Sequence, residues 1–383
     1  MRRAKRLGLL LLLFLAINLV RVRACVSTSR DDAEARLAYL AQRIDAKTLP
    51  GVAPGHPFDG EWQLVSLSMA VVAATNLAVE YPDSREARAA QVSAWTKRLL
   101  DDDVRAYDVK QWGGDPLELS RADGHAGYLG HVALALGAAC LLDAPRDEAL
   151  HARLVDALAR RLDASPTGLI ETYPGETYVP DNVVVLAGIA LFDRCTGRPA
   201  HAATITRWRT VAQERWTDPA NGLLVFSPGQ PARGSGAAWN AFYLPFVDEA
   251  FAADQAARTW RTFGDRALFG LLHGIRERPS GDDSGGDVDS GPLVFGVSPS
   301  ATGFMLGPAR LFHEDARVAG VLTTAELVGW SFGVSERRYL FSPLVGDAIT
   351  LAAKTLTRWP ASQEKAATRP TPPGRCPRHR CAG

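Results

Sequence analysis

Residues 168–192, GLIETYPGETYVPDNVVVLAGIALF, contain a pattern that recurs along the whole chain. Up to residue 182 the segment is polar and holds Gly, Pro, Tyr and several carboxylates. An almost purely apolar run of helical length follows, introduced by Pro180 and Asp181, two residue types that favour the first turn of a helix. The segment therefore predicts a buried helix with a polar loop at its N-terminal end.

The same alternation extends to both sides of this segment. Apolar residues at a helical period predict a series of helices. They lie near 31–44, 60–81, 85–101, 125–143, 146–163, 180–196, 198–216, 236–250, 254–272, 291–312, 314–329 and 344–358. The links alternate in length. Long polar links lie at 102–124, 164–179, 217–235 and 273–290, and short links such as 144–146 lie between them.

Paired helices with their long links at one end predict an all-α (α/α)6 toroid of six helical hairpins over residues 31–360. The polar loops between 111 and 303 would then form one mouth, and function tends to gather in such loops. The alternative is an open helical solenoid. Because the sequence has no strong repeat of fixed length, we expect the closed ring.

The first 24 residues predict a signal peptide or a membrane anchor. Residues 2–6 are basic, residues 7–20 are almost purely apolar, and Val22 and Ala24 fit a cleavage after Ala24. The apolar run is shorter than the ~20 residues of a relaxed spanning helix, which favours a cleaved signal over an uncleaved anchor. A lipoprotein signal at Cys25 is a third interpretation. We expect an exported protein, periplasmic or extracellular, that meets the inner membrane only through this segment.

Composition sets further limits. Hydrophobic residues make up 46% and charged residues 22%, which argues against global disorder. A net charge of +1 without a basic stripe argues against nucleic acid as the main partner. From about residue 361 the tail is rich in Pro, Arg and Lys, and we expect it to be disordered.

The cysteine positions and the motifs that the sequence lacks argue against metal-dependent and cofactor-dependent chemistry. Cys376 and Cys381 could pair with each other, whereas Cys140 and Cys195 lie in apolar runs and are interpreted as small core residues. No zinc-type cysteine pair, nucleophile elbow, phosphate-binding loop or dinucleotide fingerprint is present. We therefore expect no metal and no cofactor.

The first group of candidate residues runs from a long loop into a helix start. It contains Trp112, Asp115, His125 and His131. Either histidine could act as an acid or base near neutral pH. Both could equally be packing or capping groups, and their spacing of six residues does not suit a metal pair on one helix face.

The second group is the polar part of the opening segment. It contains Glu171, Tyr173, Glu176, Tyr178, Asp181 and Asn182. Asp181 alone could be a helix cap. A cap does not explain the other side chains, and carboxylates at a cleft can be tuned into an acid and a base.

The third group is the loop that contains Asp287 and Asp289, which resembles a paired-acid loop. Its spacing also suggests calcium, but the downstream Glu of a calcium loop is missing. Lesser candidates are the run from Asp59 to Trp62 and the pair Trp239 and Asn240, since aromatic and amide groups at a ring mouth suit an amphipathic ligand or a sugar.

At these segments the sequence resembles linalool dehydratase-isomerase, an (α/α)6 enzyme of monoterpene metabolism. The resemblance covers roughly residues 60–312. It is carried by the runs 112–118 and 128–131, the segment 168–194, the turn 218–222 and the loop 287–291. It implies that the family's catalytic His falls on His131, and it permits a homo-oligomer.

One departure separates the chain from that family. The resemblance implies two active-site cysteines between 168 and 182, and this chain has none there. The alignment puts Glu171, or Thr172, and Asp181 on those positions. Two carboxylates in place of two thiols suggest general acid–base chemistry at the same site.

We therefore expect lyase or isomerase chemistry on a hydroxylated small organic molecule. Glu171 and Asp181 would act as acid and base, assisted by His131 and Tyr173, with Asp287 and Asp289 completing the pocket. The remaining candidates would bind substrate: Trp112, Asp115, His125, Glu176, Tyr178, Asn182, Trp239 and Asn240. One alternative is a glycan-active enzyme with a carboxylate pair. The other is a non-catalytic binding protein of the envelope.

Overall fold

The computed structural model describes residues 13, 16–23, 25–49, 58–121, 124–279, 281–282 and 284–360. Its longer helices are α1 (Arg30–Asp45), α2 (Asp59–Glu80), α3 (Arg85–Leu99), α4 (Asp102–Trp112), α5 (Ala126–Leu141), α6 (Glu148–Ala164), α7 (Val179–Thr196), α8 (Ala202–Arg215), α9 (Gly234–Tyr243), α10 (Glu249–Phe263), α11 (Pro299–Leu311), α12 (Asp315–Gly329) and α13 (Leu344–Lys354). The strands are β1 (Gly264–Arg266), β2 (Leu272–Arg276), β3 (Val297–Ser298), β4 (Ser331–Phe332) and β5 (Arg338–Tyr339).

Six of these helices form a closed inner ring. Helix α2 packs on α5, α5 on α7, α7 on α9, α9 on α11, α11 on α13, and α13 returns to α2. An outer layer of α1, α3, α6, α8, α10 and α12 packs against the ring. The cycle of contacts confirms the predicted all-α toroid and excludes the open solenoid.

The inner helices approach one another closely because small residues lie at their contacts. A Cβ on Gly188 of α7 would lie 2.6 Å from the Cβ of Ala133 on α5, closer than real carbon contacts. A disulfide between Cys140 and Cys195 joins the same two helices. The interpretation of these cysteines as small core residues was therefore wrong. Cys376 and Cys381 lie outside the described residues.

Buried charges hold the first and last helices together. Arg36 of α1 is buried and lies 3.2 Å from Asp32 and 3.3 Å from Glu326 of α12. The ammonium group of Lys354, at the end of α13, also pairs with Asp32. This cluster joins α1 to α12 and α13, where the two ends of the chain meet.

The structure corrects the predicted helices at several places. Helix α4 occupies part of the predicted loop 102–124; acidic residues begin it and Gly113, in the left-handed conformation, ends it. The predicted helix 254–272 ends at Phe263, because β1 pairs antiparallel with β2 from Gly264 onward. The predicted helix 291–312 begins only at Pro299, since Val297 and Ser298 pair with β2 and Ser298 caps α11.

The predicted signal or anchor lies mostly outside the described residues and stays a prediction. In its described part, Val22 is buried, and Arg21 donates a 2.7 Å hydrogen bond to the carbonyl of Glu326 and lies over the ring of Trp330. Among the described helices, α2 has the length and apolar composition of a membrane span, and most of it is buried inside the ring. The predicted disordered tail also lies outside the described residues.

Candidate functional site

The N-terminal ends of the inner helices surround a cavity of about 100 Å³ that carries carboxyl, hydroxyl and aromatic groups. Glu61 lies in the first turn of α2, Asp181 in the first turn of α7, and Ser235 in the first turn of α9. The loop before α7 adds Tyr173 and Tyr178, and the loop before α11 adds Asp289. The long loops thus meet at one face of the ring, as the sequence predicts.

Glu61 is a carboxyl group held in its protonated form. The hydroxyl of Tyr173 donates a hydrogen bond to Glu61 Oε2. Burial, with the negative charge of Asp181 as the second cause, raises the pKa of Glu61 to about 8. A carboxyl group with this pKa carries its proton at neutral pH and can donate it.

Asp181 is the second carboxyl group of the cavity. The Thr172 hydroxyl donates a 2.6 Å hydrogen bond to Asp181 Oδ2, which fixes the position of that oxygen. Burial raises the pKa of Asp181 to about 7, and the negative charge of Asp289 adds to the effect. Both carboxyl groups thus titrate near neutral pH, so the cavity can hold one protonated and one ionised carboxyl group.

Arg233 holds the acidic loop at the cavity edge. Its guanidinium group pairs with Asp287 and Asp289 and lies 3.4 Å from the buried Glu277. It also lies over the ring of Phe226, 3.6 Å from the ring centre. One positive charge is thus shared among three carboxylates, so the loop is organised around Arg233.

Burial and the Arg233 charge act in opposite directions on these carboxyl groups. Burial alone would raise the pKa of Asp287, but the hydrogen bond and charge of Arg233 lower it below its usual value. In Asp289, burial outweighs the charge of Arg233 and raises the pKa. Asp289 lines the cavity. The Asp287 carboxylate accepts hydrogen bonds from the backbone amides of Asp289 and Ser290 in addition to its pairing with Arg233.

Aromatic side chains form much of the remaining wall. Trp62, Phe226 and Trp239 line the cavity together with Tyr173 and Tyr178. The rings of Tyr178 and Phe226 lie 5.2 Å apart. Flat apolar faces beside carboxylates suit a ligand with both hydroxyl groups and C–H faces.

Only some of the candidate residues in the segment 171–182 line the cavity. Glu171 is exposed, and its side chain accepts a 3.1 Å hydrogen bond from the Gly175 amide instead of lining the cavity. Glu176 is also exposed and accepts a 2.7 Å hydrogen bond from the Tyr178 hydroxyl. Asn182 is buried and bonds both backbone groups of Ile170, so it fixes the loop. Tyr173, Tyr178 and Asp181 do reach the cavity.

The first candidate group lies beside the cavity and does not line it. Asp115 accepts a 2.9 Å hydrogen bond from the Leu117 amide and pairs with Arg105. Trp112 donates a 3.2 Å hydrogen bond to the carbonyl of Thr172 and packs on His125, whose Nδ1 lies 2.5 Å from Asp108. These contacts support the loop that carries Thr172.

His131 lies deeper in the ring. Its Nδ1 is 2.9 Å from the Ser68 hydroxyl, and its ring meets Trp239 edge to face. Burial lowers the pKa of His131 to about 3, so the imidazole is neutral. Asn240, also predicted to bind substrate, is fully buried in α9, whereas its neighbour Trp239 lines the cavity.

Sequence reasoning gave too little weight to Glu61 and did not select Arg233 or Glu277. The signal for Glu61 is positional, because Glu61 and Asp181 both occupy the first turn of an inner helix that follows a polar segment. Arg233 occupies the corresponding N-cap position before α9. Glu277 follows β2 (Leu272–Arg276), most of which the sequence prediction had assigned to the long link 273–290.

Solved structures similar to this chain include a polysaccharide lyase and a family 105 glycoside hydrolase from C. acetobutylicum ATCC 824. The lyase shares 11% identity over 88% of this chain and 99% of its own, with a TM-score of 0.49. The hydrolase shares 11% identity over 83% of this chain and 98% of its own, with a TM-score of 0.47. No protein-family model matches the sequence, and no curated protein does. Neither structure assigns a family to the chain, and the resemblance to linalool dehydratase-isomerase stays a prediction.

Proposed function

We propose that this chain is an enzyme that cleaves a glycosidic bond in a neutral glycan or glycoside, with Glu61 as general acid and Asp181 as general base or nucleophile. The observation that carries the proposal is that both carboxyl groups line one cavity with their pKa values raised toward neutrality. Glycosidic cleavage uses such a pair, one group protonating the leaving oxygen and the other acting on the opposite side of the sugar.

The two roles follow from the local environments. Glu61 has the higher pKa, so it holds the proton that the leaving group needs. Asp181 has the lower pKa, and its ionised form can activate water or attack carbon. The Thr172 and Tyr173 hydroxyls each hold one carboxyl group in place, as productive geometry requires.

The charges of the site favour a neutral substrate. Glu61, Asp181 and Asp289 all line the cavity, while Arg233 is shared among three carboxylates. A substrate carboxylate would lie near the ionised forms of Asp181 and Asp289, and the described residues that line the cavity include no cation to offset the repulsion. The aromatic walls formed by Trp62 and Trp239 offer faces on which a sugar ring can lie.

A second candidate is dehydration or isomerisation of a hydroxylated small molecule at the same carboxyl groups. An apolar cavity that adjoins the acidic one favours it, since such a cavity suits a hydrocarbon substrate. The chemistry would again need a protonated acid and an ionised base. It would leave no sugar product, which separates it from glycosidic cleavage.

Export stays part of the proposal. The Cys140–Cys195 disulfide supports it, because disulfides persist in oxidising compartments and are rare in the cytosol. The apolar N-terminal run supports it independently.

The deciding experiment is a parallel assay of neutral glycosides, uronic-acid glycosides and terpene alcohols with the purified chain. Release of sugar from neutral glycosides alone supports the proposal. Turnover of an alcohol without any glycoside would establish the second candidate, and preferential turnover of uronic-acid glycosides would contradict the charge argument. Absence of turnover with retained ligand binding would favour a non-catalytic binding protein.

A further inference from the structure

A second cavity, of about 230 Å³, lies between α11, α12 and α13. Leu306, Val321, Val328 and Ile349 form much of its wall, and none of the described residues that line it is charged. It is larger than the roughly 150 Å³ that accommodates a benzene molecule in a dry apolar cavity. The mechanism proposed above gives this space no role.

The two cavities adjoin and share part of their walls. Trp62, Val288 and Ser300 line both of them. A ligand that reaches from Glu61 into the second cavity would pass these side chains. The arrangement places an acidic site directly beside an uncharged apolar one.

We propose that the second cavity binds the apolar aglycone or lipid chain of an amphipathic glycoside whose neutral sugar lies between Glu61 and Asp181. This inference rests on the proposed function, since it identifies the substrate class of the same site. Transfer of an apolar chain from water into such a cavity stabilises the complex in proportion to the area buried.

The wall chemistry favours a neutral hydrocarbon chain over a charged one. The hydroxyl of Thr302 accepts a 3.0 Å hydrogen bond from the Ile275 amide. The hydroxyl of Thr324 accepts from the His273 amide and donates to the His273 carbonyl. These hydroxyls are thus engaged by β2 and offer little to a polar ligand.

The cavity also reaches an apolar part of the surface. Phe341 lines it and is 74% exposed. The β4–β5 hairpin, whose Tyr339 also lines the cavity, carries Phe332 and Val334, which are 60% and 93% exposed. A chain that leaves the cavity would therefore meet further apolar side chains before it meets water.

The test compares methyl and n-octyl β-D-glucoside, both below the micelle concentration, in calorimetric binding and in hydrolysis. We expect octyl glucoside to bind at least tenfold more tightly, since each buried methylene contributes about fourfold to affinity. Ala325→Phe, which fills the cavity, should abolish the difference between the two ligands. Ala316→Phe is the matched control, because Ala316 is exposed on the same helix and lines neither cavity.

The outcomes separate the inference from the proposed function. Tighter octyl binding that Ala325→Phe removes supports the inference even if neither glucoside is hydrolysed. Equal binding of both ligands by the wild-type chain overturns it, even if hydrolysis is observed. If Ala325→Phe fails to fold by circular dichroism, Val328→Phe replaces it at another position of the same wall.

Discussion

The hydroxyl of Tyr173 donates a hydrogen bond to the carboxyl group of Glu61, 112 residues earlier in the chain. The contact joins the loop before α7 to the first turn of α2, across the mouth of the ring. The pKa of Glu61, the proposed general acid, therefore depends in part on the Tyr173 hydroxyl, which a Tyr173→Phe substitution removes.

Removal of that hydroxyl should shift the titration of Glu61. Burial and the charge of Asp181 raise the pKa of Glu61, whereas the Tyr173 hydrogen bond lowers it. Tyr173→Phe should therefore move the alkaline limb of the pH–rate profile upward by about one unit, since a hydrogen bond to a charged group contributes about 1.5 kcal/mol or more. Tyr178→Phe, which removes a hydroxyl bonded to the exposed Glu176, is the control and should leave that limb in place.

The wild-type profile of kcat/KM against pH should be a narrow bell. Asp181 must lose its proton, so activity should fall as pH drops below about 7. Glu61 must keep its proton, so activity should fall as pH rises above about 8. The apparent pKa values of the two limbs describe the coupled pair and not either residue alone. A rate that stays constant from pH 5 to pH 10 would contradict this assignment.

The buried charges between α1, α12 and α13 should contribute strongly to stability. Arg36→Ala leaves Asp32 and Glu326 buried with less compensation, and we expect a loss of about 3–5 kcal/mol in the free energy of unfolding. Arg30→Ala, at the start of the same helix as Arg36, removes an exposed ion pair with Asp83 and should have a much smaller effect on stability. Urea unfolding of both variants measures the difference, and equal losses would refute it.

The disulfide should also stabilise the ring. Replacing both Cys140 and Cys195 with Ala should lower the free energy of unfolding by about 2–4 kcal/mol, because the crosslink restricts the unfolded chain. Denaturation with and without a reducing agent provides the same comparison in the wild-type chain. Identical denaturation midpoints in the presence and absence of the reductant would show that the disulfide does not contribute.

The ring could be predicted because helical periodicity and link lengths repeat along the chain. Local rules also placed Asp181 correctly, since Pro180 and Asp181 mark the start of a helix. The hairpin of β1 and β2 could not be predicted, because Leu268 and Phe269 adopt left-handed conformations that their residue types rarely show. The apolar residues between β1 and β2 continue the helical pattern of the sequence, although the backbone reverses direction at this point to pair the two strands.

The composition of the site depends on contacts between residues that are distant in sequence. Glu171 and Asp181 are close in the sequence, yet Glu171 faces solvent and Glu61 occupies the cavity instead. Likewise, the sequence predicts a paired-acid loop at Asp287 and Asp289, while in the fold Arg233 pairs with both carboxylates. In each case the partner comes from another hairpin of the ring.

The central claim is that Glu61 and Asp181 act as the catalytic pair. Its most direct test measures kcat/KM of the Glu61→Gln and Asp181→Asn variants on a neutral glycoside that the wild-type chain hydrolyses. Each should lose at least about a hundredfold, the usual contribution of a positioned acid or base. Glu171→Gln is the exposed control and should remain near the wild-type rate. Both site variants should melt no lower than the wild type at pH 8, because ionising a buried carboxyl group costs free energy. Full activity in either folded site variant, or an equal loss in Glu171→Gln, would contradict the account.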